Sequence, residues 1–303
     1  MRINLYRFAP KELCSITLKL FHMSDYHAFT KGLENILLFR DEQDYIDGMN
    51  GIPQVLQKTQ CQLLAFCLMS NHIHFVLTGN LADVRFFMEE YKRRIAMSLN
   101  ERYNEVRPLH GMRFSIKEVD KLEYLRTVIA YVVRNPLGAG FKGMPYNYRW
   151  SSAAYYFQSH DEEGTRIEKL SLRKYRKILK THTPKTDFIK NCTIDNHGMI
   201  LPSHYLNTNR VNNIYGRQAT MLYFMSKNDD ERVEAEMSTD FFEMQDDTTI
   251  RKMLLDTCYS VFGSLDVNTL SYPDKLSLAG IVRRRFGATN KQLTRIMHIK
   301  IGN

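Results

Sequence analysis

A chain of 303 residues, 44% of them apolar and 12% aromatic, is long enough for a sizeable core and for a smaller companion domain beside it, which excludes a disordered or fibrous class. Forty-two Lys and Arg against thirty-three Asp and Glu leave a formal charge of +9, gathered notably at Lys92-Arg93-Arg94 and Arg283-Arg284-Arg285, and this suits an anionic partner. Five cysteines without a CxxC pair argue against a disulfide scaffold, and the lack of an apolar leader or a membrane-length apolar run predicts a cytoplasmic protein with no membrane partner.

In chain order, residues 14–20 (CSITLKL) alternate as a first strand. Residues 41–56 suit a helix poorly, because Gly48 and Gly51 interrupt them. Residues 62–69 and 72–77 read as an antiparallel hairpin around Ser70-Asn71. Residues 81–103 form one long helix with Val84, Phe87, Met88, Tyr91, Ile95 and Leu99 on its apolar side. Its other side leaves Arg85, Lys92 and Arg93 to meet solvent or phosphate. A short strand at 114–116 precedes a helix over 119–135, with Leu122, Leu125, Val128, Ile129 and Val132 as its stripe and Pro136 as its stop. This order predicts a small α+β sandwich with helices on one side of an antiparallel sheet. Past residue 151 the pattern weakens to helices at 172–179, 217–225 and 232–244, and a last pair at 275–286 and 291–298. That pair, joined by a glycine-bearing turn, reads as a helix-turn-helix at 275–298 or as a small bundle that packs on the rest.

The chemistry begins in LLAFCLMSNHIHFVL (63–77), where strand alternation sets His72 and His74 on one face. Two imidazoles there hold one metal ion, or form a plain hydrogen-bonded pair at a strand end. Tyr131 and Asn135, four apart in YVVRNP, face the same way from a helix. Opposed to the histidines, they make a divalent-metal site of two imidazoles and an amide oxygen beside a phenol. That set suits attack on a phosphodiester, with Mg²⁺ or Mn²⁺ polarising the phosphate and Tyr131 forming a covalent link. A phenol pKa near about 10 makes tyrosine a poor nucleophile until its proton is removed or the phosphate is polarised.

Three runs together, FCLMSNHIHFVL, AYVVRNPLGAG and the trailing PYNYRWSS (145–152), resemble the IS200-like single-tyrosine (HUH) transposases. The similarity is nearest to the subgroup associated with repetitive extragenic palindromes (REP), whose usual motifs are YCLMPNHxH, YIHxNPVRAG and WSS. It spans about residues 12–157. It implies a ferredoxin-like antiparallel sheet with helices on one face, and the residue pattern adds a mainly helical C-terminal region after it. With the pattern past residue 157, the expected domains are a catalytic domain over 1–157, a connecting segment over 158–199 and a helical region over 200–303. The resemblance further implies cleavage and joining of single-stranded DNA at hairpin or palindromic repeat ends, through a 5′-phosphotyrosine, by a homodimer. His72 and His74 match the metal-binding histidines and Tyr131 the nucleophile. Asn135 stands where classical members carry a glutamine ligand, and otherwise orients substrate or caps the helix end.

Departures are Ser70 for a proline, a shortened middle segment HGMRFS (110–115), and a first-strand counterpart at 15–20 that has a lysine for arginine and lacks the usual glycine. Candidate DNA contacts are Arg85, Lys92, Arg93, Arg94, Arg113, Arg134, Arg283, Arg284 and Arg285. Asn290, Lys291, Gln292, Thr294 and Arg295 have suitable chemistry for base edges. Trp150 packs the domain end or stacks on a base, and Ser151 and Ser152 cap the segment after them. The other histidines, His27 among them, show no same-face partner. Two further readings are a nickase that processes host repeats, and a non-catalytic DNA-binding regulator.

Overall fold

The first strand of the sheet is β1 (Ser24–Lys31), followed by α1 (Glu42–Leu56), β2 (Gln62–Leu68), β3 (Ile73–Gly79), α2 (Leu81–Tyr103), β4 (Arg113–Val119) and α3 (Leu122–Gly138). The computed structural model describes residues 23–31, 36–106, 108–109, 112–158, 163–227, 230, 233–234, 247–286, 288 and 290–299. The expected strand at 14–20 lies outside them. The sheet has the order β2-β3-β1-β4, with every named pair antiparallel. A strand-helix-strand-strand-helix-strand chain in that order is the ferredoxin-like arrangement predicted from the sequence.

Side chains of neighbouring strand residues point to opposite faces, and the helices divide accordingly. Phe75 meets Phe87 and Tyr91 of α2 edge-on, at 5.1 and 5.0 Å between ring centroids. The Tyr91 hydroxyl donates to Gly48 O of α1 at 3.0 Å, so α1 and α2 share this face. The next residue, His74, turns to the other face and meets Tyr131 of α3. Two helices thus lie on one side, whereas α3 covers the other, so the expectation of helices on one side alone fails for α3.

Helix α2 has the limits its periodicity gives. Val84, Phe87, Met88, Tyr91, Ile95 and Leu99 are all buried, each worth roughly 1.5–3 kcal/mol for an aliphatic or Phe side chain taken from water. Asn80 caps its start by accepting from Asp83 N at 2.9 Å, and Asn104 ends it at φ 54°.

Helix α1 runs straight through the two glycines that argued against it. They allow close approach: a Cβ at Gly48 would lie 2.5 Å from Phe39 Cε1. Phe39 cannot swing freely, because it stacks on Tyr45 at 4.8 Å and Tyr45 on Trp150 at 4.7 Å. Gly48→Ala is therefore expected to lower stability by about 1–3 kcal/mol in urea unfolding. An unchanged midpoint would show that this stack yields without cost.

Helix α3 also passes the expected stop, continuing through Pro136 to Gly138. Proline removes one backbone donor, which is tolerable this close to the end. The stripe is right for Leu125, Val128, Ile129 and Val132, whereas Leu122 is exposed. α3 is buried on more than one side because later helices pack on it. With α4 (Leu172–Leu179), α5 (Asp187–Lys190), α6 (Thr208–Tyr215) and α7 (Gln218–Ser226) following, Arg126 Nε donates to Ile214 O at 2.8 Å and Tyr215 Oη to Arg126 O at 2.6 Å. Val211, Ile214, Tyr215 and Phe224 join the same apolar core as the sheet. A two-stranded piece, β5 (Thr165–Arg166) with β6 (Thr193–Ile194), lies within this stretch.

Contacts divide the chain into Met1–Asp240 and Phe241–Asn303. The second unit comprises α8 (Asp247–Phe262), α9 (Tyr272–Phe286) and α10 (Asn290–Met297), around Ile250, Leu254, Cys258, Leu278, Val282 and Leu293. Of the helix expected at 232–244, only Val233 and Glu234 are described, both helical. Among the described residues Cys61, Cys67, Cys192 and Cys258 are free thiols, and no helix is long and apolar enough to cross a membrane.

Candidate active site

β3 and α3 bring four predicted side chains together. His74 lies within β3, its Cα paired with Phe29 on one side and Cys67 on the other. His72 precedes β3 in the hairpin turn, where its carbonyl accepts from Met69 N at 2.8 Å. The two rings are 5.1 Å apart and nearly perpendicular, at 86°. From the last turns of α3, Asn135 Oδ1 reaches His72 Nε2 at 2.7 Å and its Nδ2 lies 3.4 Å from His74 Nε2. One turn earlier, Tyr131 sets its ring edge-on to His74 at 5.5 Å. All four groups come from one chain.

A fifth member is His27 of β1. Its Nε2 lies 3.1 Å from His74 Nδ1, and its ring is 6.1 Å from that of Tyr131. When His74 donates from Nδ1 to this partner, its Nε2 lone pair is turned toward the Asn135 side. Second partners of this kind fix the tautomer and orientation of a ligating imidazole. The expectation of no same-face partner for His27 fails, because the strand that carries it begins at Ser24 and not within residues 14–20.

Burial decides the protonation states. It alone depresses His27 to about 3. It also lowers His74, helped by the neighbouring His27 and His72 charges, and lowers His72 against a hydrogen bond to Asn135 Oδ1 that raises it. The imidazoles are therefore neutral near pH 7, the form that binds metals. His72 Nδ1 is 2.8 Å from Asn71 Oδ1, an acceptor, so the proton sits on Nδ1. His72 Nε2 is then a lone pair facing Asn135 Oδ1, also an acceptor. That contact is favourable with the carboxamide turned so that Nδ2 donates to the ring nitrogen, or with a cation shared between the ring nitrogen and Oδ1, and burial disfavours a protonated ring. Two imidazole nitrogens and a carboxamide oxygen fit a small divalent cation. Among the described residues no group of three or more His, Cys, Asp or Glu converges to hold a metal, here or elsewhere, so a cation at this point would rest on the two imidazoles and the carboxamide.

The phenol of Tyr131 is 6% exposed. Burial raises its pKa, the Glu234 and Asp230 carboxylates raise it further, and a hydrogen bond from Asn135 opposes them. It is thus fully protonated near neutrality.

The family model described as "Transposase IS200 like" matches residues 38–135. Residues 38–135 belong to the IS200-like transposase family. The match holds His72, His74, Tyr131 and Asn135, and leaves His27 just outside. A solved structure described as "Structure of the REP associates tyrosine transposase bound to a REP hairpin" is 16% identical, with a TM-score of 0.37, covering 50% of this chain and 84% of that one. No curated protein matches the chain.

The WSS run, which follows the matched residues, seals an edge of the sheet. Ser152 N donates to Phe66 O at 3.0 Å, Phe66 N to Ser152 Oγ at 3.0 Å, and Leu68 N to Trp150 O at 2.9 Å. Tyr148 and Tyr156 add hydroxyl bonds to Leu68 O and Leu64 O at 2.8 and 2.6 Å. These groups occupy the outward backbone of β2, which as an edge would otherwise invite pairing. Trp150 packs, stacked on Tyr45 with Arg149 over it at 4.8 Å. Ser151 Oγ accepts from Ala153 N at 3.3 Å, whereas Ser152 serves the sheet instead of capping the segment after it.

The cations are scattered. Arg85, Lys92, Arg93 and Arg94 ride on α2, across the sheet from Tyr131. Arg85 is buried rather than facing solvent. Lys92 Nζ donates to Met112 O, Arg93 pairs with Glu90 at 2.8 Å, and Arg94 Nη2 donates to Gln54 Oε1 at 2.7 Å. Arg134 is beside the site but engaged, with Met225 O at 2.9 Å and with Lys227 O and Asp230. Arg113 opens β4, opposite Lys31 and so at the His72 end of the sheet. Arg283, in the other unit, is exposed and donates to Asn290 Oδ1 at 3.2 Å; the side chains of Arg284 and Arg285 lie outside the described residues. Gln292 and Arg295 both reach Asp247 of α8, at 3.4 and 2.6 Å.

Proposed function

We propose that this chain is a metal-dependent single-tyrosine DNA transposase or strand-transferase, cleaving and rejoining single-stranded DNA through a covalent 5′-phosphotyrosine. The observation that carries the reading is the meeting of Tyr131 with His72, His74 and Asn135 inside one chain of an IS200-like family member. The Tyr131 oxygen attacks phosphorus while the bond to the 3′ oxygen breaks, and the phenol proton leaves as a 3′-hydroxyl is released. A phosphodiester to tyrosine keeps the energy of the broken bond, so a DNA 3′-hydroxyl attacks it later and returns the proton to Tyr131. Bound Mg²⁺ or Mn²⁺, held by His72, His74 and Asn135, would polarise the phosphate and offset charge on the leaving oxygen.

Protein residues supply the remainder. His27 and Asn71 fix the two imidazoles, and Asn135 sets the phenol and His72 at one point. Hairpin or palindromic ends are the proposed substrates. Because one chain holds every member of the site, a homodimer need not exchange its tyrosines. The close approach of the four groups speaks against the non-catalytic regulator.

The test uses the full chain, Mn²⁺ and a labelled single-stranded hairpin. A denaturation-resistant adduct is expected, and after nuclease and protease digestion the nucleotide remnant should map to the peptide bearing Tyr131. A remnant on another residue, or no adduct, rejects the mechanism. Cleavage without joining of an added 3′-hydroxyl strand would favour the nickase.

A further inference from the structure

Helix α4 carries a charge pattern that this reaction does not use. Arg173, Lys174, Arg176 and Lys177 are all exposed, and Lys180 follows as its C-cap. Like charges three and four apart repel one another, and those in the first turn also oppose the helix dipole. Among the described residues no carboxylate answers Arg173, Lys174, Arg176 or Lys177, whereas Lys180 alone takes Asp47 at 2.8 Å and Glu101 at 3.8 Å. The helix is held instead from beneath. Tyr175 and Leu179 are buried, and Leu179 O accepts from Gln54 Nε2 at 3.2 Å and from Arg94 Nη2 at 3.3 Å.

Beside this helix an open groove of about 1270 Å³ runs against α2, with Arg93, Lys174, Arg176, Lys177, Lys180 and His182 in its wall. α2 covers the sheet face opposite Tyr131, so the groove is separate from the candidate active site. Asp47 and Glu101 share the wall and answer Lys180, and Glu90 answers Arg93, so the charge that calls for a polyanion is that of Lys174, Arg176 and Lys177. No Phe, Tyr or Trp lines it, although tracks for single strands rely on aromatic stacking. Phosphate-only contact is the mark of sequence-neutral duplex binding.

We propose that the groove between α2 and α4 binds the phosphate backbone of duplex DNA, holding DNA that flanks the strand being cut. The choice of DNA among polyanions rests on the activity proposed above.

The experiment measures affinity of the full chain for a labelled blunt duplex by anisotropy, between about 50 and 200 mM salt. The Lys174→Gln/Arg176→Gln/Lys177→Gln variant should bind about a hundredfold more weakly near 0.1 M salt, with a log–log salt slope reduced by roughly 2–3. Lys174→Gln alone should lose about one unit of slope, which guards against a folding defect in the triple variant. The Tyr131 adduct on a short hairpin should persist in both variants. Unchanged duplex affinity and slope would overturn the proposal. So would an equal loss for unstructured single strands, or a loss confined to phosphatidylserine vesicles. If wild type binds duplex through these residues yet forms no adduct, the groove stands and the catalytic reading falls.

Discussion

Tyr131→Phe should eliminate the denaturation-resistant adduct and lower strand cleavage by about 10³-fold or more. The substitution deletes one oxygen. The ring is 6% exposed and rests edge-on against His74 and His27, at 5.5 and 6.1 Å, and those contacts survive. Removing a buried hydroxyl whose pKa is raised by burial first and then by Glu234 and Asp230 leaves no charge stranded. Melting temperature and hairpin affinity should therefore stay near wild type while the chemistry disappears. His74→Ala reaches the same inactive result differently, by removing a cation donor and leaving His27 Nε2 without its 3.1 Å partner; its loss should appear as weaker Mn²⁺ binding. A normal adduct in Tyr131→Phe would move the nucleophile to another of the seventeen tyrosines and end the assignment.

The parts legible in the sequence share a physical reason. α2 has one buried face and one wet face, so its 3.6-residue period survives in the amino acids. β1 has no such contrast. Tyr26, His27, Ala28, Phe29 and Thr30 are all buried, because helices cover both faces of the sheet, and polarity stops alternating in a strand buried twice. An alternating segment at 14–20 then reads as the better strand, and His27 is lost with the true one. A signal is present: Tyr26-His27-Ala28-Phe29-Thr30-Lys31-Gly32 has a glycine directly after its lysine, the glycine that residues 15–20 lack. Glycines mislead in α1, since their value there lies in what touches them. Charge misleads in another way. Sequence counts Arg134 and Arg94 as cations available to DNA, yet folding commits the first to Asp230 and backbone carbonyls and the second to Gln54 and Leu179 O. Tyr131 and Asn135 are readable together because a spacing of four in a helix fixes one direction without reference to the rest of the fold, whereas His72 lies in the turn before β3 and meets His74 through the hairpin and not through strand alternation.

Acidification should destabilise the protein well above the range in which carboxylates protonate. His27 has a folded pKa of about 3 against an ordinary 6.5, caused by burial. Between those values the unfolded chain binds the proton and the folded chain does not, so stability rises with pH through the window. It is complete above 6.5 and is lost as pH falls toward 3. From pH 7 to pH 5, His27 alone should account for about 2 kcal/mol, and His74 and His72, both lowered, act in the same direction. Asp41 and Glu90, each held at about 2 by arginine partners, also favour the folded state at higher pH. Their stabilisation is lost only as pH falls below about 4.5, the ordinary range of carboxylates. Urea unfolding in EDTA between pH 5 and 7 isolates the histidines, with no divalent cation contributing. His27→Phe fills the space with a ring that cannot titrate, and it should flatten the stability–pH slope by up to one proton relative to wild type. Its overall stability falls as well, since His74 Nδ1 loses its partner in a buried site. The slope decides the matter: if wild type and His27→Phe run parallel between pH 5 and 7, His27 is not the neutral, buried support of His74 that the geometry makes it.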